Sequence, residues 1–390
     1  MKKLFLATLI VVFVQTISAQ NTLPKDSFAF TTVKENKITP VKNQANSGTC
    51  WSFSGIGFFE AELLRLGKPE VDLSEMYVVN QSYKDKADKY VRTNGTVNFA
   101  GGGSFYDVWY VLKNYGIVPD AEMKGLNYGT EKHNHGELDA MTKTFVENVV
   151  KNPNKIISSA WKNAFAGIVD AYLGKIPTEF SVNGKKQTPQ TYFQSLGLNL
   201  DDYVSITSFT HHPFYTQFAI EIPDNWRWAL SYNVPLDEFS RIFDYAVNNG
   251  YTIAWGSDVS EKGFTRDGLG LLPETKKENL PGTDQAKWLD LQKSSKFEIK
   301  GPLKEIQPTQ ESRQKEFDNY QTTDDHGMLI YGIAKDQNGT EYYLVKNSWG
   351  TDSKYKGIWY VSKPFVQQKT INIFVHKNAV PQDIRKKLGI

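Results

Sequence analysis

The segment Gln44-Ala45-Asn46-Ser47-Gly48-Thr49-Cys50-Trp51 sets the only cysteine of this 390-residue chain where a loop gives way to a helix. Upstream, Pro40, Asn43, Asn46 and Gly48 interrupt regular structure. Downstream, Phe53, Ile56, Phe59, Leu63 and Leu66 recur at steps of three and four, which predicts a helix from Cys50 that Gly67 closes. A lone cysteine is most often a small buried hydrophobe. This one starts a helix, where the positive end of the dipole favours thiolate, the form that attacks a carbonyl. Gly48 is expected to let the chain turn sharply just before it. Gln44, six residues earlier, can set its side-chain amide beside the Cys50 N–H, and two such donors would hold an oxyanion. Cys50 is therefore the candidate nucleophile and Gln44 the candidate oxyanion donor.

A thiolate also needs a base that later returns the proton. Asp324-Asp325-His326-Gly327-Met328 offers His326 at the entry to a strand, from which its ring can project into a cleft. The base needs an orienter in turn, and Asn347 in Lys346-Asn347-Ser348-Trp349-Gly350 is placed for it. Residues 328–334 and 341–346 read as strands flanking Asp336-Gln337-Asn338-Gly339, a hairpin turn because Asn-Gly tolerates positive φ. Adjacent strands would bring Asn347 beside His326, with Trp349 shielding the bond from water.

Working outward, a second helix is expected from Ser74 and a third over residues 105–115, stopped by Gly116. The middle reads as largely helical, with Leu138, Met141, Phe145 and Val149 on one face and Ile157, Trp161, Phe165, Ile168 and Tyr172 on another. A further helix opens at Pro235 and Asp237. The aromatic stretch 209–228 reads as packing between this middle region and the core, with a substrate platform as the alternative. From Tyr251 onward the pattern turns to strands, at 251–255, 357–361 and 370–375. Helices first and strands last predict an α+β chain.

The ordered blocks Gln44, Ser47-Gly48-Thr49-Cys50-Trp51, Asp325-His326-Gly327 and Asn347-Ser348-Trp349-Gly350 resemble the catalytic blocks of the papain superfamily of cysteine peptidases. In simple papain-like enzymes the His follows the Cys by about 130–150 residues, whereas His326 lies 276 residues beyond Cys50. That elongated layout resembles the bleomycin hydrolase and aminopeptidase C family, as do Leu73-Ser74-Glu75-Met76-Tyr77, Gly101-Gly102-Gly103 and Trp255-Gly256-Ser257-Asp258-Val259. The resemblance implies a two-lobed papain-like fold, with the nucleophile on a helical lobe, His and Asn on a β-rich lobe, and a mainly helical insertion at about 120–250. It implies peptide-bond hydrolysis through a thioester acyl-enzyme, as an aminopeptidase, on peptide substrates and without metal or organic cofactor. The chain departs from the family at Ser47, where a further Cys is usual, and at Thr49, where Arg is usual. Family members also end in an arm that reaches the cleft, restricts cleavage to free amino termini and accompanies a hexameric chamber. Here Ile390 follows soon after 380–384, so the arm reads as truncated. A papain-like endopeptidase with an open cleft, and a silent peptide-binding scaffold, are the alternatives.

Lys2 and Lys3 precede an apolar stretch over residues 4–14, and Ile17-Ser18-Ala19 offers a cleavage site before Gln20. Residues 1–19 are thus expected to be a signal peptide, too short in its apolar part for an ordinary span, and the mature protein to be periplasmic or extracellular. The formal charge of +2 rests on those two lysines, so the mature chain is near neutral and nothing in its balance points to nucleic acid or an anionic membrane. His133-Asn134-His135 and His211-His212 are read as loop histidines rather than metal ligands, since no partnering Cys or spaced acidic cluster accompanies them.

Overall fold

A computed structural model describes residues 27–273 and 299–390. The expected signal peptide lies outside the described residues.

Strand β1 (Thr31–Glu35) precedes three helices, α1 (Cys50–Arg65), α2 (Glu75–Arg92) and α3 (Phe105–Tyr115). Their ends follow from local chemistry. Ser74 accepts the N–H of Tyr77 to cap α2, Ser104 and Asp107 form a capping box on α3, and Gly116 at φ +80° stops α3 where its sequence predicts. Helix α1 is buried on every side from Trp51 to Leu63, so it is a core helix rather than a surface one. Its two carboxylates are satisfied inside: Glu60 accepts Thr39 Oγ1 at 2.6 Å and Leu73 N at 2.9 Å, and Glu62 takes both arms of Arg65.

Helices α4 (Gly136–Val150) and α5 (Ala160–Leu173) pack on α2, followed by a small hairpin of β2 (Phe180–Val182) and β3 (Lys185–Gln187) and by α6 (Pro189–Leu196). The buried stripe of α4 is Leu138, Thr142 and Val146, with Met141 exposed, so the face expected around Met141 is rotated by part of a turn. Ile157 lies before α5 and is exposed. The middle region is also less helical than expected. Strands β4 (Tyr203–Thr207), β5 (Gln217–Ala219) and β6 (Leu230–Asn233) join the main sheet before α7 (Leu236–Asn248) begins.

The remaining strands are β7 (Ile253–Ser257), β8 (Leu269–Gly270), β9 (His326–Lys335), β10 (Glu341–Lys346), β11 (Ile358–Ser362) and β12 (Thr370–His376). The sheet order is β5-β6-β4-β12-β7-β9-β10-β11-β8, with β1 pairing the far half of β9. Strand β9 is buried along nearly its whole length because α1 covers it. Its hairpin to β10 is the expected one: Gly339 sits at φ +83°, and Asp336 Oδ1 accepts the N–H groups of Asn338 and Thr340. Two large apolar cores result, one around α1–α3 and one between the sheet and α7.

Candidate active site

Cys50 is the first residue of α1, half-buried and at the positive end of that helix. The residue before it, Thr49, does not cap the helix; its hydroxyl is tied to Ser47 Oγ at 2.6 Å instead. Gly48 is not the left-handed residue of this loop. That position is Ala45, at φ +48°, with its N–H on Asn43 Oδ1. Gly48 instead lines the cleft, where a Cβ would stand 3.5 Å from the Gly101 backbone.

His326 opens β9, opposite Ser257 of β7, and its approach to α1 depends on the next residue. A Cβ at Gly327 would stand 2.7 Å from Ser54 Oγ and 3.4 Å from the Trp51 α-carbon, both near the start of α1. Glycine is needed there for close contact between strand and helix. His326 Nε2 meets Asn347 Oδ1 at 2.7 Å, and the same oxygen accepts Ser348 N at 2.7 Å. An oxygen that accepts a backbone N–H is assigned as the amide carbonyl, so Nε2 carries the imidazole proton and Nδ1 is the basic nitrogen. The Trp349 ring lies 4.6 Å from the imidazole, centroid to centroid, and covers it. Burial pulls the His326 pKa down to about 4 against the opposing Asn347 bond.

Gln44 sits beside them with both ends of its amide held. Its Oε1 accepts Ser348 Oγ at 2.6 Å, and its Nε2 donates one hydrogen to Ser47 O at 2.8 Å. The second Nε2 hydrogen remains to be offered, and Gln44, Cys50, His326 and Trp349 line one cavity. Trp51 Nε1 donates to Gly101 O at 3.0 Å and so fixes the Gly101-Gly102-Gly103 loop along its rim. The sequence candidates Cys50, His326, Asn347 and Gln44 are thereby gathered at one place. The arrangement can deprotonate a thiol, hold an imidazolium in one orientation and donate to a developing oxyanion.

Two features were not legible in the motifs. Ser348 fixes the Gln44 amide, a contact between residues 304 apart in the chain. The turn after β5 also reaches the cleft, where Ile222, Asp224 and Asn225 line its wall. Its aromatic neighbours take other roles: Trp226 is buried, and exposed Trp228 lies under Lys89 Nζ at 3.4 Å.

The histidines outside the cleft behave as packing and surface groups. His211 Nε2 and His212 Nε2 both meet the carboxylate of Glu221, at 3.0 and 2.8 Å. Three potential ligands thus converge on the surface. However, Gln314 accepts Thr210 N through Oε1 and donates from Nε2 to His211 Nδ1. This leaves the His211 proton on Nε2, pointed at Glu221 as a hydrogen bond rather than a free lone pair. His135 is buried and His133 half-buried near the Gln44–Gly48 loop, and loss of water lowers His133 to about 4 and His135 to about 3.

A helix-borne thiol facing a strand-borne His–Asn pair on a mixed α and β frame defines a papain-type cysteine peptidase. The model for the Peptidase C1-like family matches residues 178–389, and that for the papain family of cysteine proteases matches residues 25–195. The chain belongs to the Peptidase C1-like family, within the bleomycin hydrolase and aminopeptidase C group of papain-like peptidases. It is similar to aminopeptidase C of Lactococcus lactis subsp. cremoris, at 22% identity over 88% of this chain and 82% of that one. It is equally similar to aminopeptidase G of Lactobacillus delbrueckii subsp. lactis, at 22% identity over 90% and 83%. The crystal structure of PepW from Lactobacillus rhamnosis HN001 shares the fold, with a TM-score of 0.68 and 20% identity over 92% of this chain and 84% of that one.

Proposed function

We propose that the protein is a cysteine aminopeptidase in which Cys50, His326, Asn347 and Gln44 do the chemistry. His326 Nδ1 takes the Cys50 proton, and the sulfur attacks the carbonyl carbon of the scissile amide. The carbonyl electrons move to oxygen, which is held by the Gln44 amide and the Cys50 N–H. His326 returns its proton to the leaving amine, and the C–N bond breaks to leave a thioester. Water, deprotonated by the same nitrogen, then adds to the thioester, and the thiol departs with the proton. Asn347 keeps Nδ1 aimed at the sulfur throughout. The observation that carries this reading is the 2.7 Å bond from His326 to Asn347 on the cavity wall that also holds Cys50. The exopeptidase half of it is supported by relatives named as aminopeptidases that align over most of the chain.

The test compares one peptide with a free and with an acetylated amino terminus, using reduced enzyme and Cys50→Ala as control. Trimming of the free peptide alone is expected. Internal cleavage of both would make the protein an open-cleft endopeptidase; among the described residues nothing after Phe374 lines the cavities at Cys50. Hydrolysis that persists in Cys50→Ala would end the cysteine mechanism. Export through residues 1–19 belongs to the same proposal, and amino-terminal sequencing of the secreted protein is expected to begin at Gln20.

A further inference from the structure

Two hollows meet at Cys50 and His326, one running toward β4 and β12 and the other along the Gly101–Gly103 loop. Besides those two residues, both hollows share Asp224, Asp324 and Asp325. Three carboxylates on the wall of a reactive cleft call for an account, because each is removed from bulk water beside like charges.

Asp325 is accounted for within the fold. Its oxygens accept Thr323 Oγ1 at 2.7 Å and Ser260 N at 3.2 Å, while the neighbouring Asp258 accepts Ser260 N and Thr323 N. These bonds tie the turn before β9 to the strand end at β7. Asp224 and Asp324 are different. Asp224 enters from the turn after β5, on the opposite side from β9, and accepts Asn98 Nδ2 at 3.3 Å. Space for its carboxylate exists because residue 102 is glycine; a Cβ there would overlap it. Asp324 accepts no hydrogen bond among the described residues, and its carboxyl is held well above the usual range by burial and then by Asp224, Asp325 and Asp258. The cation within reach is Lys86, whose Nζ is already engaged by Ala100 O at 2.8 Å and by Gly102 O. Lys86 opposes Asp224, Lys143 lines one of the two hollows, and no cation lowers the Asp324 carboxyl.

We infer that Asp224 and Asp324 form an anionic subsite that receives the ammonium group of the peptide substrate, placing its amino-terminal residue at Cys50. The inference rests on the peptidase reading of the same cleft and names what would make it an exopeptidase. An ammonium group offers three donors and a positive charge to Asp324, which lacks both, and to Asp224, which has one long bond from Asn98 and one shared lysine. The α-amino group of the residue being removed is the source we assign, since it stands only two bonds from the scissile carbonyl carbon. A lysine side chain carries the same group on a longer stem.

Asp224→Asn and Asp324→Asn, made singly in the full chain, separate these cases. The substrates are alanyl, acetyl-alanyl, acetyl-lysyl and acetyl-glutaminyl coumarin amides, with the Cys50 alkylation rate by iodoacetamide as the check on an intact site. The ratio of kcat/KM on the alanyl to the acetyl-alanyl substrate is expected to fall roughly 10–100-fold, the size of a lost charge-assisted bond. A fall confined to the acetyl-lysyl over acetyl-glutaminyl ratio would keep the ammonium subsite and assign it to a side chain. Unchanged ratios for both pairs, with normal alkylation, would overturn the inference. So would equal losses on all four substrates. The aminopeptidase reading fails separately, if the unmodified enzyme cuts alanyl and acetyl-alanyl substrates alike.

Discussion

The Gln44 amide shows how a single side chain is made to serve. With Oε1 on Ser348 Oγ and one Nε2 hydrogen on Ser47 O, the amide cannot rotate, and its remaining hydrogen has a fixed direction. Gln44→Ala is expected to lower kcat by about 10²–10³ with little change in KM, as for loss of one oxyanion donor. A steady-state assay reads this directly, and a drop in KM alone would contradict it. Gly327→Ala tests the other half of the site. The added methyl would stand 2.7 Å from Ser54 Oγ and 3.3 Å from the Phe105 ring, so β9 must give way unless the Ser54 hydroxyl turns aside, and displacement of His326 by a fraction of an ångström is expected to cost about 10–100-fold in kcat/KM. Single-residue features of this kind divide sharply in how far they can be read from sequence. Cys50, His326 and Asn347 sit in short blocks whose local chemistry points to one role each. Asp224 sits in a stretch whose aromatic content suggested packing, and its place in the cleft depends on a missing Cβ at residue 102, far away in the chain. The left-handed residue of the loop was likewise hidden, because nothing local marks Ala45 over Gly48.

Among the elements, the contact between α1 and α3 is the most constrained. A Cβ at Gly55 would lie 2.6 Å from Val108 Cγ2, and a valine side chain on a helix has one preferred rotamer and no room to swing. Replacing a mid-helix glycine by alanine ordinarily stabilises by about 0.5–1 kcal/mol. Overpacking a core costs about 1–3 kcal/mol, so Gly55→Ala is expected to be destabilising by about 1 kcal/mol in urea titration. Gly55→Ala with Val108→Ala should recover the helix gain relative to Val108→Ala alone, and an additive pair would refute the steric account. The helices α1 to α3 were legible because each carries its own start or stop in Ser74, Gly67 or Gly116. Strands β4 to β6 were not. They are three to five residues long, and their partners, β12 above all, come from far along the chain, so no local period announces them.

For the molecule as a whole, buried titratable groups set the pH response. Burial, then Asp258, raises the Asp325 carboxyl to about 7. Its unfolded value is near 4, so the folded state binds the extra proton between those values. The stability it contributes is therefore present at low pH and is lost as pH rises through 7. His133, His135 and His326 act in the opposite sense. Burial lowers them to about 4, 3 and 4, so their stability is present above an unfolded value near 6.5 and is lost as pH falls through about 4. Both effects fall below pH 7, where three histidines outweigh one carboxyl, so the urea midpoint is expected to be nearly level from pH 8.5 to about 7 and to fall toward pH 4. Asp325→Asn should steepen that fall, because it removes the one opposing contribution; an unchanged slope would remove Asp325 from the pH response. At this scale the α+β class was legible from the order of helical and strand patterns, whereas the way early and late strands alternate across the sheet was not.

That alternation has a consequence for time. Strand β9 is bounded by β1 from the start of the described chain, and β12 lies between β4 and β7. A ribosome delivers Cys50 and α1 first and needs another 276 residues to deliver His326. At about 5–20 residues per second this is on the order of tens of seconds. Through that interval the thiol has no base, no orienting amide and no closed sheet behind it. The unfinished chain is a peptidase that cannot yet cut, and the order of synthesis alone keeps it latent until His326 and Asn347 arrive.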